Sequence, residues 1–169
     1  MSNAENSVSS ADTIYRFTVK NIDGEDVCLD KYKGKVAVIV NVASQWGFTI
    51  KNYEQLQKLQ EKYSQNLSIL AFPCNQFGSQ EPASDEEIKK FALAQGATFD
   101  VFAKIHVNGS KADPLYNFLK SHKNCTGFLV NAIKWNFTKF LISKDGIPYK
   151  RFSPNCSPLD MVKDIDALL

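Results

Sequence analysis

The chain has 169 residues, 44% of them hydrophobic and 22% charged, with a net charge of +2 and an isoelectric point near 8.3. That length suits one domain with a substantial core. So mild a positive balance excludes nucleic-acid binding by bulk electrostatics, although it leaves room for a local basic patch, and no apolar run approaches the ~20 residues of a membrane span.

The opening MSNAENSVSS has neither a cationic start nor an apolar core, so it does not read as a secretory signal. The expectation is a disordered tail over residues 1–12, a single domain over 13–169, and a cytoplasmic setting. "IYRFTV" alternates in polarity, Asp23-Gly24 is a turn dipeptide and "EDVCL" returns, which predicts an N-terminal β-hairpin. "KVAVIVNVA" (Lys35 to Ala43) is almost continuously apolar and β-branched, as a central strand covered on both faces would be.

After a polar turn, Thr49 is placed to cap a helix whose apolar side carries Ile50, Tyr53, Leu56, Leu59 and Tyr63. "LSILAF" (Leu67 to Phe72) is a second buried strand, stopped by Pro73. Strand, helix and strand in this order predict a parallel unit with its functional end at the strand C-termini. Ser84 and Glu87 in "SDEE" form a capping box ahead of a helix with Ile88 and Phe91 on one face. Asp113 and Pro114 open the next helix, "DPLYNFL". "NFTKFLIS" and "IPYKRF" form a second hairpin turning at Asp145-Gly146, and a last helix follows "SPLD", with Ser157 as cap, Pro158 first and Asp160 at the positive end. The whole describes an α/β chain with a mixed central sheet and helices on both faces.

Three strings put polar and aromatic groups where packing alone would not choose them: "NVASQWG" (41–47), "FPCNQFGSQEP" (72–82) and "KWNF" (134–137). The first two leave consecutive parallel strands, so they share one edge of the sheet. Gln80, Trp135 and Asn136 supply uncharged N–H donors of the kind that stabilise an anion or a developing oxyanion. Position 46 precedes the first turn of a helix, where a thiol would have its pKa lowered. The four cysteines, Cys28, Cys74, Cys125 and Cys156, form no C-x-x-C pair and no zinc-ligand spacing with His106 or His122. They are expected to be reduced thiols.

The strings closely resemble the glutathione peroxidases, above all the monomeric phospholipid-hydroperoxide type. The likeness runs from about Ile14 to the final helix through "NVASQ-x-G-x-T-x-x-NY", "ILAFPCNQFG-x-QEP", "EEIK-x-F", "FD-x-F-x-KI-x-VNG" and "NAIKWNFTKFL". It implies a thioredoxin-like fold. It also implies reduction of hydrogen peroxide, organic and phospholipid hydroperoxides by glutathione, in response to oxidative stress. In that family the slot matching Trp46 holds a selenocysteine or cysteine, and those matching Gln80, Trp135 and Asn136 hold its hydrogen-bonding partners. The implied site is therefore Trp46, Gln80, Trp135 and Asn136. No cofactor is implied beyond glutathione as reducing co-substrate, and selenocysteine is the residue expected at 46 in the native protein.

Thioredoxin-dependent members carry a resolving cysteine in the helix after "QEP". Its approximate counterpart here is Leu93, and "IKKFALAQG" holds no cysteine, so the resemblance points to the glutathione-using kind. By the same resemblance, the short link between Lys120 and Asn131 lacks the insertion that tetrameric members carry, which implies a monomer with an open site able to admit bulky lipid hydroperoxides. Lys134 and Arg151 match basic positions that would bind anionic glutathione or phospholipid headgroups at a peripheral membrane surface, with Lys123 and Lys150 adding to the field. Phe48 departs from the Lys often found two residues after the reactive slot.

An indole offers no ionisable nucleophile, so the chain as written is expected to be a disabled peroxidase. The selenocysteine codon UGA is one base from the tryptophan codon UGG, and recoding is the simplest account of Trp46. The alternatives are natural loss of catalysis, leaving a lipid- or protein-binding module, and a substitution introduced into a cysteine enzyme. A thioredoxin-dependent thiol peroxidase using Cys74 or Cys125 is a further alternative. Without the resemblance, Trp135 reads as a core or interface aromatic, Gln80 as a loop amide, Asn136 as a turn residue, and the basic side chains as solvated charges.

Overall fold

A computed structural model describes residues 12–169, so the expected tail lies outside the described residues except for Asp12. A five-stranded mixed sheet has the order β5-β4-β3-β6-β7. At its centre is β3 (Val36–Val42), parallel to β4 (Leu67–Pro73), and β4 is in turn parallel to the short edge strand β5 (Asp100–Val101). On the other side β6 (Lys139–Ile142) runs antiparallel to β3, and β7 (Pro148–Phe152) antiparallel to β6. A separate two-stranded sheet pairs β1 (Thr18–Lys20) with β2 (Asp26–Cys28).

The continuous apolar character of β3 follows from burial on both faces. Because successive strand residues point to opposite faces, Val36, Val38, Val40 and Val42 enter one core, and Ala37 and Ile39 enter the other. The first core is closed by α1 (Thr49–Tyr63) through Tyr53, Leu56 and Leu59, and by α4 (Val162–Leu168) through Ile165. Ala92 of α2 (Asp85–Ala94) joins it. The second core is closed by α3 (Pro114–Ser121) through Leu115, Tyr116 and Leu119, and by Ile14, Val19 and Leu29 from the N-terminal segment.

Most expected elements form, with four local differences. Residues Ile14–Arg16 make a 3-10 turn rather than the start of a strand, because Thr13 caps them by accepting from the Tyr15 N–H at 3.2 Å. Thr49 is the first residue of α1 and not its cap; the cap is Phe48, and the Thr49 hydroxyl is turned back to the preceding loop. Ile50 is exposed, and the inward face of α1 instead takes in Asn52 and Gln57 with the apolar residues. The last helix begins as a 3-10 turn, Pro158–Met161, with no side-chain bond from Ser157. By contrast, Ser84 accepts from Glu87 N–H and Asp113 from Leu115 N–H, as the capping patterns require. Strand β5 was not expected from the pattern; two residues are too few to alternate visibly.

Candidate functional site

Three loops meet at the C-terminal edge of the β3–β4 pair. The exits of two parallel strands lie side by side, and β6, being antiparallel to β3, begins where β3 ends. Asn41 joins them. It is the one polar residue in β3, fully buried, and a buried amide needs partners. Its Nδ2 donates to the Trp135 carbonyl at 3.1 Å, its Oδ1 accepts from the Thr138 N–H at 3.2 Å, and its carbonyl accepts from the Phe137 N–H at 2.7 Å. Phe137, held this way, has φ of +59°, a left-handed backbone that is uncommon for a bulky residue and concentrates at functional sites.

Around this anchor the structure gathers Gln80, Trp135 and Asn136. Asn136 is buried and its Nδ2 donates to Gln80 Oε1 at 2.7 Å. Trp135 is 37% exposed, and its ring is tilted over Phe77 with centroids 5.8 Å apart. A Cβ on Gly78 would come within 3.4 Å of both the Trp135 ring and the Gln80 amide carbon, so the indole and this amide border the same small space.

Trp46 reaches the cluster from the side. Its half-buried indole stacks on Phe137 at 5.8 Å and 18°, and meets Phe48 edge-on at 5.1 Å. Its backbone N–H donates to Thr49 Oγ1 at 3.1 Å, and that hydroxyl donates to the Ala43 carbonyl at 2.7 Å. Position 46 therefore sits at the positive end of a 15-residue helix, among N–H groups that favour an anion. From the adjacent residue, the Gln45 N–H donates to the Gln80 carbonyl at 3.0 Å, tying the first loop to the second.

Lys134 and Arg151 line one cavity of about 190 Å³, with Thr126, Phe128, Thr138 and Ser153. Their donors already serve the loop between α3 and β6: Arg151 donates to the Asn131 and Ala132 carbonyls at 2.6 and 2.8 Å, and Lys134 to that of Phe128. Partial burial lowers the Arg151 pKa from its ordinary value. Lys150 is not part of this rim. Neighbouring strand residues face opposite ways, and its ammonium pairs with Asp164 at 3.5 Å. Lys123 lies in the 3-10 turn Lys123–Cys125.

The thiol alternatives fare poorly on physical grounds. Cys74 and Cys125 are fully buried, and burial pushes both pKa values up, that of Cys125 to about 12, which suppresses the nucleophilic thiolate. His106 is exposed and His122 half-buried at the end of α3, and neither belongs to the cluster. Sequence reasoning passed over Asn41, Ser44 and Glu81. The polar interruption in "VAVIVNVA" was the available signal for Asn41; Glu81 stood inside "SQEP" with nothing in the pattern to mark it as buried.

Comparison with known proteins bears on this geometry. A family model described as glutathione peroxidase matches residues 14–120. The chain is 55% identical to a glutathione peroxidase of Schistosoma mansoni over 162 residues, covering 95% of each chain. It is 57% identical to a probable phospholipid hydroperoxide glutathione peroxidase of Helianthus annuus over 155 residues, covering 90% of this chain and 85% of that one. Among solved structures it is similar to T. cruzi GPX1, with a TM-score of 0.76 and 43% identity over 92% of this chain and 95% of the other.

Proposed function

The chain belongs to the glutathione peroxidase family, with the thioredoxin-like α/β fold of its members, and from this premise we propose that position 46 is its reactive slot and that glutathione is its reductant. Hydroperoxides, phospholipid hydroperoxides among them, are the substrate class. The observation that carries the reading is the convergence of the loop bearing Trp46 with Gln80, Trp135 and Asn136 at the positive end of α1.

With a cysteine or selenocysteine at 46, the helix terminus favours the ionised form. The chalcogenolate takes the distal oxygen of the hydroperoxide, the alcohol leaves with a proton, and a sulfenic or selenenic acid remains. One glutathione displaces water to give a mixed disulfide or selenenyl sulfide, and a second releases oxidised glutathione. Uncharged N–H donors from the surrounding amides and indole suit an anion formed beside them. Trp46 has no electron pair able to perform the first step, so the chain as written is read as disabled. Trp46→Cys is expected to confer hydroperoxide reduction in a glutathione reductase-coupled assay; a folded variant inactive with both glutathione and thioredoxin refutes the reading.

The exposed run Phe128-Leu129-Val130, beside Lys134 and Arg151, supports docking of the site at a phospholipid surface. We take the protein to act as a cytoplasmic monomer in the response to oxidative stress. Trp46 itself favours the second reading, a non-catalytic module on the same fold. The natural codon decides between them: UGA supports the enzyme, and UGG without a recoding element supports the module.

A further inference from the structure

Glu81 is a carboxylic acid with no exposed surface. One of its oxygens, Oε1, accepts from the Ser44 hydroxyl at 2.6 Å, and the Ser44 backbone N–H also faces the carboxyl. The Glu81 backbone N–H is held by Asn75 Oδ1 at 3.0 Å. The other oxygen, Oε2, is buried without a hydrogen-bond partner, as is the hydroxyl of Tyr53 on α1, and burial pushes the Glu81 pKa above its ordinary value. A buried carboxyl with one oxygen unsatisfied carries a desolvation cost that the Ser44 bonds offset only in part.

Its location suggests a role. Ser44 is two residues before position 46, and Glu81 directly follows Gln80. On the helix side, Thr49 holds the loop through Ala43 and Trp46. On the opposite side the ties are Gln45 N–H to the Gln80 carbonyl and the Ser44–Glu81 pair. The first fixes only the two main chains. The second is the side-chain contact that sets how far the slot stands from the Gln80 amide.

We propose that Glu81 is a positioning residue of the site, whose carboxyl grips Ser44 and so fixes the slot at position 46 against Gln80 and Asn136. It does not touch the reacting atoms. Glutamine at 81 preserves the grip, since its amide oxygen accepts from the Ser44 hydroxyl as Oε1 does; alanine removes it. The role requires a hydrogen-bond acceptor of this length and not a charge.

The test uses Trp46 as its own reporter, in a Trp135→Phe background so that one indole emits. Ser44→Ala and Glu81→Ala are expected to increase acrylamide quenching of Trp46 and shift its emission to longer wavelength, with the far-ultraviolet circular dichroism unchanged. Glu81→Gln is expected to keep the parental spectrum. In a Trp46→Cys enzyme with Trp135 intact, Ser44→Ala is expected to lower kcat about tenfold or more with KM nearly constant, the signature of a displaced reacting group. Unchanged Trp46 emission in folded Ser44→Ala, or Glu81→Gln as damaging as Glu81→Ala, overturns the proposal. Should Glu81→Ala fail to fold, Ser44→Ala and Glu81→Gln decide it alone. The activity arm rests on the peroxidase reading, whereas the fluorescence arm does not, so failure of one is distinguishable from failure of the other.

Discussion

Lys139 in β6 has no exposed surface, an unusual place for an ammonium. Its Nζ donates to the carbonyls of Cys156 and Ser153. Burial lowers its pKa from 10.5 to about 8, with Cys156 and Asp160 pulling the other way. Below pH 8 the group is charged in both folded and unfolded chains, and the folded chain bears the burial cost. Between about 8 and 10.5 the folded chain has released a proton that the unfolded chain still holds, so this contribution to stability rises with pH. A depression of that size corresponds to about 3 kcal/mol across the window. The buried thiols, with raised pKa values, oppose it in the upper part of the range. A difference measurement isolates the lysine: in urea unfolding from pH 7 to 10, the wild type is expected to gain on Lys139→Met by up to ~3 kcal/mol. A flat difference refutes the assignment. Nothing in "NFTKFL" distinguishes this lysine from a solvated one, because β6 is covered on both faces and a buried lysine there needs carbonyls that come from a distant loop.

At the scale of elements, the turn between β6 and β7 shows what local chemistry specifies. Gly146 has φ of +81°, and a Cβ there would come within 2.5 Å of the Tyr15 ring. That ring is fixed, since its hydroxyl donates to the Lys144 carbonyl at 2.7 Å and the adjacent Ile14 N–H donates to the Gly146 carbonyl at 2.9 Å. Gly24, in the β1–β2 turn, has the same φ of +81° but open space around it. Gly24→Ala is therefore expected to cost about 1–2 kcal/mol for backbone strain alone, and Gly146→Ala about 2–4 kcal/mol once crowding is added. Denaturant midpoints of the two variants measure the difference. Both turns were legible as Asp-Gly dipeptides. Tyr15 on Gly146 was not, because the contact joins segments about 130 residues apart in the chain. Capping was legible at Ser84 and Asp113, where the cap and its N–H lie within three residues. It misled at Thr49, whose hydroxyl has a better-placed partner in the Ala43 carbonyl outside the helix.

For the molecule as a whole, the alternation of β3 between two cores explains why a polar site can form only where the sheet ends. The parallel pairing of β3 with β4 and the shared edge of their exit loops could be inferred from the run of apolar strands; the full strand order, with β5 at one side and β6 beside β3, could not. The candidate residues Gln80, Trp135 and Asn136 stood out through motifs resembling those of the family, but the ties around them, at Asn41 and Glu81, needed coordinates. The same edge leads to the exposed Phe128-Leu129-Val130 run, of which Leu129 is 87% exposed. If that run and the neighbouring cations form a lipid-facing surface, anionic phospholipid vesicles should cosediment with the protein and release it as salt rises. Lys134→Ala is expected to weaken this binding about fivefold, near the ~1 kcal/mol of one basic side chain at a membrane surface. Equal binding to zwitterionic and anionic vesicles at every salt concentration argues against it.

The four free cysteines grade from open to enclosed: Cys28 is exposed, Cys156 intermediate, Cys74 and Cys125 buried. A thiol shielded by packing reacts only during the moments when its surroundings part. An alkylating reagent will therefore count Cys28 at once and Cys156 more slowly. The last two become internal timers, Cys74 for breathing at the end of β4 and Cys125 for breathing behind α3. Peptide-resolved labelling of one sample would read both clocks against each other, without adding a probe that the sequence does not already carry.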